Sequence, residues 1–116
     1  MKMILVIEDD KDYRDILLEK LKKTGYGVDF AQNGEEALAK ISKSTYDLIL
    51  LDLVMPTMDG QTFLNHFKHQ NLRTPIILLT NLNQATLPDV DYEYVVKAET
   101  TLDELLTKIK KHIDFI

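Results

Sequence analysis

Five short apolar runs alternate along the chain with stretches whose apolar residues recur at helical spacing. The first run, Met3 to Ile7, is rich in branched side chains and closes on Glu8-Asp9-Asp10. From Asp12 to Lys23, the spacing of Tyr13, Ile16, Leu17 and Leu21 predicts a helix. Thr24-Gly25 predicts its end, because glycine tolerates the left-handed conformation that follows a last turn. Val28 to Ala31 predicts a short strand. Asn33, with Glu36 three residues on, has the form of a capping box for a second helix that buries Ala37, Leu38 and Ile41. Tyr46 to Leu51 and Pro75 to Leu79 predict two strands whose apolar residues are continuous, as in strands covered on both faces. Between them a helix from about Gly60 turns Phe63, Leu64 and Phe67 inward. Tyr94 to Val96 predicts a fifth strand. Thr101 with Glu104 opens a last helix, which buries Leu102, Leu105, Leu106, Ile109 and Ile113.

Strands separated by helical patterns predict βαβ units, and hence a doubly wound parallel sheet with helices on both faces. Ligands of such sheets sit outside the carboxyl ends of the strands. There the first strand delivers Glu8, Asp9 and Asp10, the third Asp52, the fourth Thr80 and the fifth Lys97. Each has a plain reading of its own: Asp10 as a helix cap, Thr80 as a strand end, Lys97 as a solvated lysine. Collected on one sheet edge they imply more. Crowded carboxylates need a cation to share, and oxygen-only ligands point to a hard divalent ion such as Mg²⁺. A lysine and a hydroxyl beside them suit the remaining oxygens of a transferred phosphoryl group.

Composition narrows the partners. The 116 residues fit one domain spanning 1–116, with 45 % hydrophobic and 28 % charged residues, as in ordinary globular chains. Fourteen basic residues against nineteen acidic ones give −5, which argues against direct binding of nucleic acid. No apolar run approaches the ~20 residues of a membrane span, and Met3 to Ile7 is too short for the core of a signal peptide. Zero cysteines fit a reducing compartment, so a cytoplasmic location is expected.

The residues resemble those of a response-regulator receiver domain over essentially the whole chain. Ile4-Leu5-Val6-Ile7-Glu8-Asp9-Asp10 resembles the family's first strand and acidic pair. Leu51-Asp52-Leu53-Val54-Met55-Pro56-Thr57-Met58-Asp59-Gly60 resembles its phosphoacceptor segment. Thr80 matches the switch hydroxyl, and Tyr94-Val95-Val96-Lys97 matches the aromatic-switch and lysine segment. Four such segments in the right order make a specific match. The resemblance implies a flavodoxin-like (βα)₅ fold of strand order 2-1-3-4-5. It implies Asp52 as phosphoacceptor from a histidine kinase or histidine phosphotransfer protein. Mg²⁺ would be held by Asp9, Asp52 and the Val54 backbone carbonyl, with Glu8 acting through a water. Lys97 and Thr80 would hold phosphoryl oxygens, and Tyr94 would move behind Thr80 to change the surface read by a separate, unknown downstream protein.

Three departures from the family pattern carry expectations of their own. Only thirteen residues, 81 to 93 with Pro88 among them, separate Thr80 from Tyr94. The fourth helix is therefore expected to be shortened or absent. Ala98 stands where the family has a cis proline, so the Lys97–Ala98 bond is expected to be trans. Asn81 stands where the family has a small residue, and its bulk is expected to slow access of water or donor to Asp52. His66 and His69 stand at i, i+3 with no third ligand evident, the pattern of a solvated surface pair. The alternative to phosphoryl signalling is a receiver-like interaction module that binds its partner without phosphorylation. A phosphatase is the third possibility, disfavoured because apolar Val54 stands where such enzymes carry their acid, and no enzymatic activity is expected.

Overall fold

The computed structural model describes residues 1–53, 60–69, 73–81 and 93–113. In chain order these form β1 (Met3–Ile7), α1 (Lys11–Thr24), β2 (Gly27–Ala31), α2 (Gly34–Lys43) and β3 (Leu48–Asp52). There follow α3 (Gly60–His69), β4 (Ile76–Thr80), β5 (Glu93–Val96), a 3₁₀ turn (Lys97–Glu99) and α4 (Leu102–Ile113). The short or missing helix expected between Thr80 and Tyr94 falls on residues 82–92, outside the described residues.

The local signals act where the sequence puts them. Asp10 caps α1, its carboxylate accepting from the Asp12 and Tyr13 N–H groups at 3.1 and 3.3 Å. Gly25, at φ 103°, closes the helix in the left-handed region, and its N–H reaches the Leu21 and Lys22 carbonyls. Asn33 Oδ1 accepts the Glu36 N–H at 2.9 Å and starts α2. The Thr101 hydroxyl accepts the Glu104 N–H and donates to the Glu104 carboxylate, both at 3.1 Å, and so starts α4.

Strand limits move by a residue or two from expectation, for local reasons. β4 begins at Ile76, because Pro75 has no N–H to give the ladder and offers only its carbonyl, to Ile49 N–H at 3.0 Å. β3 begins at Leu48: the Asp47 N–H bonds the Met3 carbonyl at 2.7 Å while its carboxylate takes the Met3 N–H at 2.7 Å. Both strands run one residue further than the apolar pattern, to Asp52 and Thr80.

All strand pairs are parallel, in the order β2-β1-β3-β4-β5. Strand alternation divides the core into two layers. Leu5, Ile7, Ile49, Leu51 and Leu78 face α2 and α3, where Ala37, Phe63, Leu64 and Phe67 meet them. Ile4, Val6, Leu48, Leu50, Ile77 and Leu79 face α1 and α4, against Leu17, Leu21, Leu105 and Ile109. Every residue of β3 and β4 is buried, which is why their sequences read as continuous apolar runs. Ile16, one of the residues whose spacing predicts α1, is 55 % exposed, and the buried stripe of the helix runs through Arg14, Leu17 and Leu21.

The chain leaves β1 for β2 on one side and returns to β3 on the other. The carboxyl ends of β1 and β3 therefore flank the point where strand order reverses, the position at which such sheets bind ligands.

Candidate functional site

Register decides which side chains meet at that edge. Ile7 pairs with Leu51 and Asp52 with Leu79, so the next residues out are Glu8 on β1, Asp52 on β3 and Thr80 on β4. Thr80 pairs with Val96, which puts Lys97 one step beyond on β5. Glu8, Asp52 and Thr80 are buried, whereas Asp9 is exposed.

Glu8, Asp9 and Asp52 each offer a carboxylate oxygen, and these oxygens lie within 4.8 Å of one another. The Lys97 ammonium reaches into the group, 2.7 and 2.9 Å from the two Glu8 oxygens and 3.4 Å from Asp52 Oδ2. Burial pushes the Glu8 carboxyl up to about 7; the Asp52 charge and hydrogen bond push the same way, and Lys97 only partly offsets them. Burial alone would lower the Lys97 ammonium, but its bond to Glu8 and the charges of Asp52 and Glu8 raise it, so it remains a cation. Two buried carboxylates thus share one lysine, with a third carboxylate beside them. A donor set made only of oxygens, short of positive charge, fits a hard divalent cation such as Mg²⁺. Among the described residues this is the one carboxylate or histidine group that could hold a metal. Val54 lies outside the described residues, so its carbonyl is not part of this geometry. His66 is exposed, and the His69 side chain is outside the described residues.

The structure therefore brings together Glu8, Asp9, Asp52 and Lys97, and sets Thr80 at the end of the adjacent strand. Tyr94 is not at the acidic cluster; it is half-buried against the α2–α3 side of the sheet, opposite Leu78. The Lys97–Ala98 bond is trans, no peptide bond among the described residues being cis.

Three contacts around the site were not legible in the sequence. Arg14 is buried beneath it, with Nη1 donating to the Glu8 carbonyl at 3.1 Å and its guanidinium 4.5 Å from the centre of the Phe30 ring. Its signal was the α1 stripe, since positions 14, 17 and 21 are spaced i, i+3, i+7. Tyr13, read from the sequence only as one of the helix's apolar positions, sets its ring 4.8 Å from the Lys97 ammonium, a cation–π contact. Asn81, expected to act by bulk, accepts the Ala98 N–H on Oδ1 at 3.1 Å.

The profile of the response regulator receiver domain family matches residues 4–110, and the chain belongs to that family. It is 35 % identical over 107 residues to the alkaline phosphatase synthesis transcriptional regulatory protein PhoP of Bacillus subtilis, covering 92 % of this chain and 42 % of that protein. The chain spans about half the length, or less, of the curated relatives it matches. Among solved structures, response regulator TrrA of Thermotoga maritima in complex with Mg²⁺–BeF matches with TM-score 0.83 and 40 % identity over 96 % of this chain and 98 % of that one. A chain from the complex of histidine kinase ThkA with TrrA matches with TM-score 0.84 and 39 % identity over 97 % of this chain and 99 % of that one.

Proposed function

We propose that Asp52 accepts a phosphoryl group from the phosphohistidine of a histidine kinase or phosphotransfer protein in the cytoplasm, and that the acyl phosphate switches a partner-binding surface. The observation that carries this reading is the buried Asp52 carboxylate, set between Glu8, Asp9 and the Lys97 ammonium. An Asp52 oxygen forms the new bond to phosphorus as the N–P bond of phosphohistidine breaks. The imidazole nitrogen keeps that electron pair and, with the other ring nitrogen protonated, leaves as neutral imidazole. Lys97, already 3.4 Å from Asp52, pairs with a phosphoryl oxygen, and the Thr80 hydroxyl donates to another. Asp9 and Asp52, with Glu8 through water, would hold Mg²⁺, which would supply positive charge to offset the incoming phosphoryl oxygens. The inward pull on Thr80 is then read out through Tyr94, two residues before its strand partner Val96. Two of the similar structures, one holding Mg²⁺–BeF and one a histidine kinase complex, support the same donor and ion.

The test is intact mass after incubation with acetyl phosphate. The wild type gains one phosphate in Mg²⁺ and none in EDTA, and Asp52→Asn gains none in either. A wild type that gains nothing leaves the phosphorylation-independent interaction module as the better reading.

A further inference from the structure

Of the two groups assigned to phosphoryl oxygens, Thr80 ends β4 and Lys97 directly follows β5, and the residue after each joins in a single contact. Asn81 Oδ1 accepts the Ala98 N–H at 3.1 Å. Thr80 pairs with Val96, so this bond closes the sheet edge just past the last residues of the β4–β5 ladder. Lys97–Glu99 form a 3₁₀ turn whose own N-cap residue, Val96, contributes no side-chain bond. The first N–H groups of a helical turn have no partner within it. Asn81 supplies one of those partners from the adjacent strand.

The lysine side chain is thereby held at both ends. Its ammonium is fixed by Glu8 at 2.7 and 2.9 Å and approaches Asp52 at 3.4 Å, leaving the side chain 13 % exposed. Its backbone belongs to the turn that Asn81 pins. Asn81 also directly follows Thr80, so one carboxamide ties the roots of both groups. We propose that Asn81 is a positioning residue: by bonding Ala98 it preorganises Lys97 and Thr80 for a phosphoryl group. This rests on the function proposed above. It differs from the expectation that the bulk of Asn81 shields Asp52, because the contact is a specific hydrogen bond on the turn that carries Lys97.

Three variants of the full chain separate the two ideas. Asn81→Leu keeps the bulk and loses the acceptor, Asn81→Ala loses both, and Asn81→Asp keeps both. Two readouts are needed: Ala98 amide hydrogen exchange in the free protein, and affinity for trifluoroberyllate in Mg²⁺. In the Leu and Ala variants Ala98 exchanges roughly three- to tenfold faster, the span expected for one hydrogen bond. Trifluoroberyllate binding weakens by a similar factor in both, with thermal stability nearly unchanged, and Asn81→Asp keeps wild-type protection at Ala98. Unchanged exchange in Asn81→Leu overturns the proposal. Faster exchange with unchanged affinity makes the bond merely structural and overturns it too. An effect on affinity in Asn81→Ala alone returns the role to bulk. A wild type that neither binds trifluoroberyllate nor gains phosphate overturns the proposed function and this inference together, an outcome distinct from the others.

Discussion

Replacing Asp52 by Asn should make the metal-free protein more stable, although it removes the central residue of the site. Asn has nearly the same volume, so packing is kept and the charge alone is lost. The Lys97 ammonium, 3.4 Å from Asp52, contributes about 5 kcal/mol of attraction at an effective dielectric of ~20. Glu8, with its oxygen no more than 4.8 Å away, returns at least about 3.5 kcal/mol of repulsion on the same scale, and exposed Asp9 adds a smaller share. The pairwise terms nearly cancel. What remains is the desolvation of an ionised carboxylate in a buried position, several kcal/mol for each ion, against about 1–3 kcal/mol for a neutral amide. Lys97 loses little, because Glu8 already holds it with both oxygens. The expected gain is about 2 kcal/mol, or roughly 5–10 °C in Tm for a domain of this size. Thermal unfolding at pH 8 in EDTA measures it. Adding Mg²⁺ should then raise the wild type more than the variant, since the ion relieves in one what the substitution has removed from the other. A less stable Asp52→Asn in EDTA, or equal Mg²⁺ responses, would refute the view of the site as carboxylates short of positive charge.

Asp9 and Asp10 should separate cleanly. Asp9→Ala loses most of the Mg²⁺ affinity, whereas Asp10→Ala keeps it and loses about 1 kcal/mol of stability with its cap on α1, as paired titration and urea unfolding would show. Burial would raise the Asp29 carboxyl, but bonds from Lys40, Tyr46 and the Phe30 N–H outweigh it and hold it below the usual range. A lowered carboxylate stabilises above its unfolded value and loses that contribution as pH falls through the folded one. Asp29→Asn should therefore cost under about 1 kcal/mol at pH 7, a modest figure because the side chain is 37 % exposed, and the gap to wild type should shrink below about pH 4. Tyr13→Leu removes the ring beside Lys97 and should weaken trifluoroberyllate binding by roughly two- to fivefold, while Tyr13→Phe keeps the ring and the affinity.

Long-range order was legible where one residue type has one physical use. Continuous apolar runs marked β3 and β4 because both faces are covered, and Gly25 marked the end of α1 because its φ is positive. The acidic groups and Lys97 were legible because a doubly wound sheet sends the ends of its strands to one edge, and the family resemblance then supplied the strand order. What escaped was decided by side-chain reach across elements. Ile16 looks like a core residue by type, yet the twist of α1 turns it outward and turns Arg14 inward, over Phe30. The bond of Asn81 to Ala98 spans seventeen residues and depends on β4 and β5 being neighbours, which spacing alone does not reveal.

On the function proposed above, Asp52, and no other carboxylate of the cluster, carries the phosphoryl group. Borohydride reduction of the acetyl-phosphate-treated protein converts a phosphorylated aspartate to homoserine, which peptide mass spectrometry locates by residue. Homoserine is expected at position 52 in the wild type. Reduction at Glu8 or Asp9 instead, or at no residue after full labelling conditions in Mg²⁺, would contradict it.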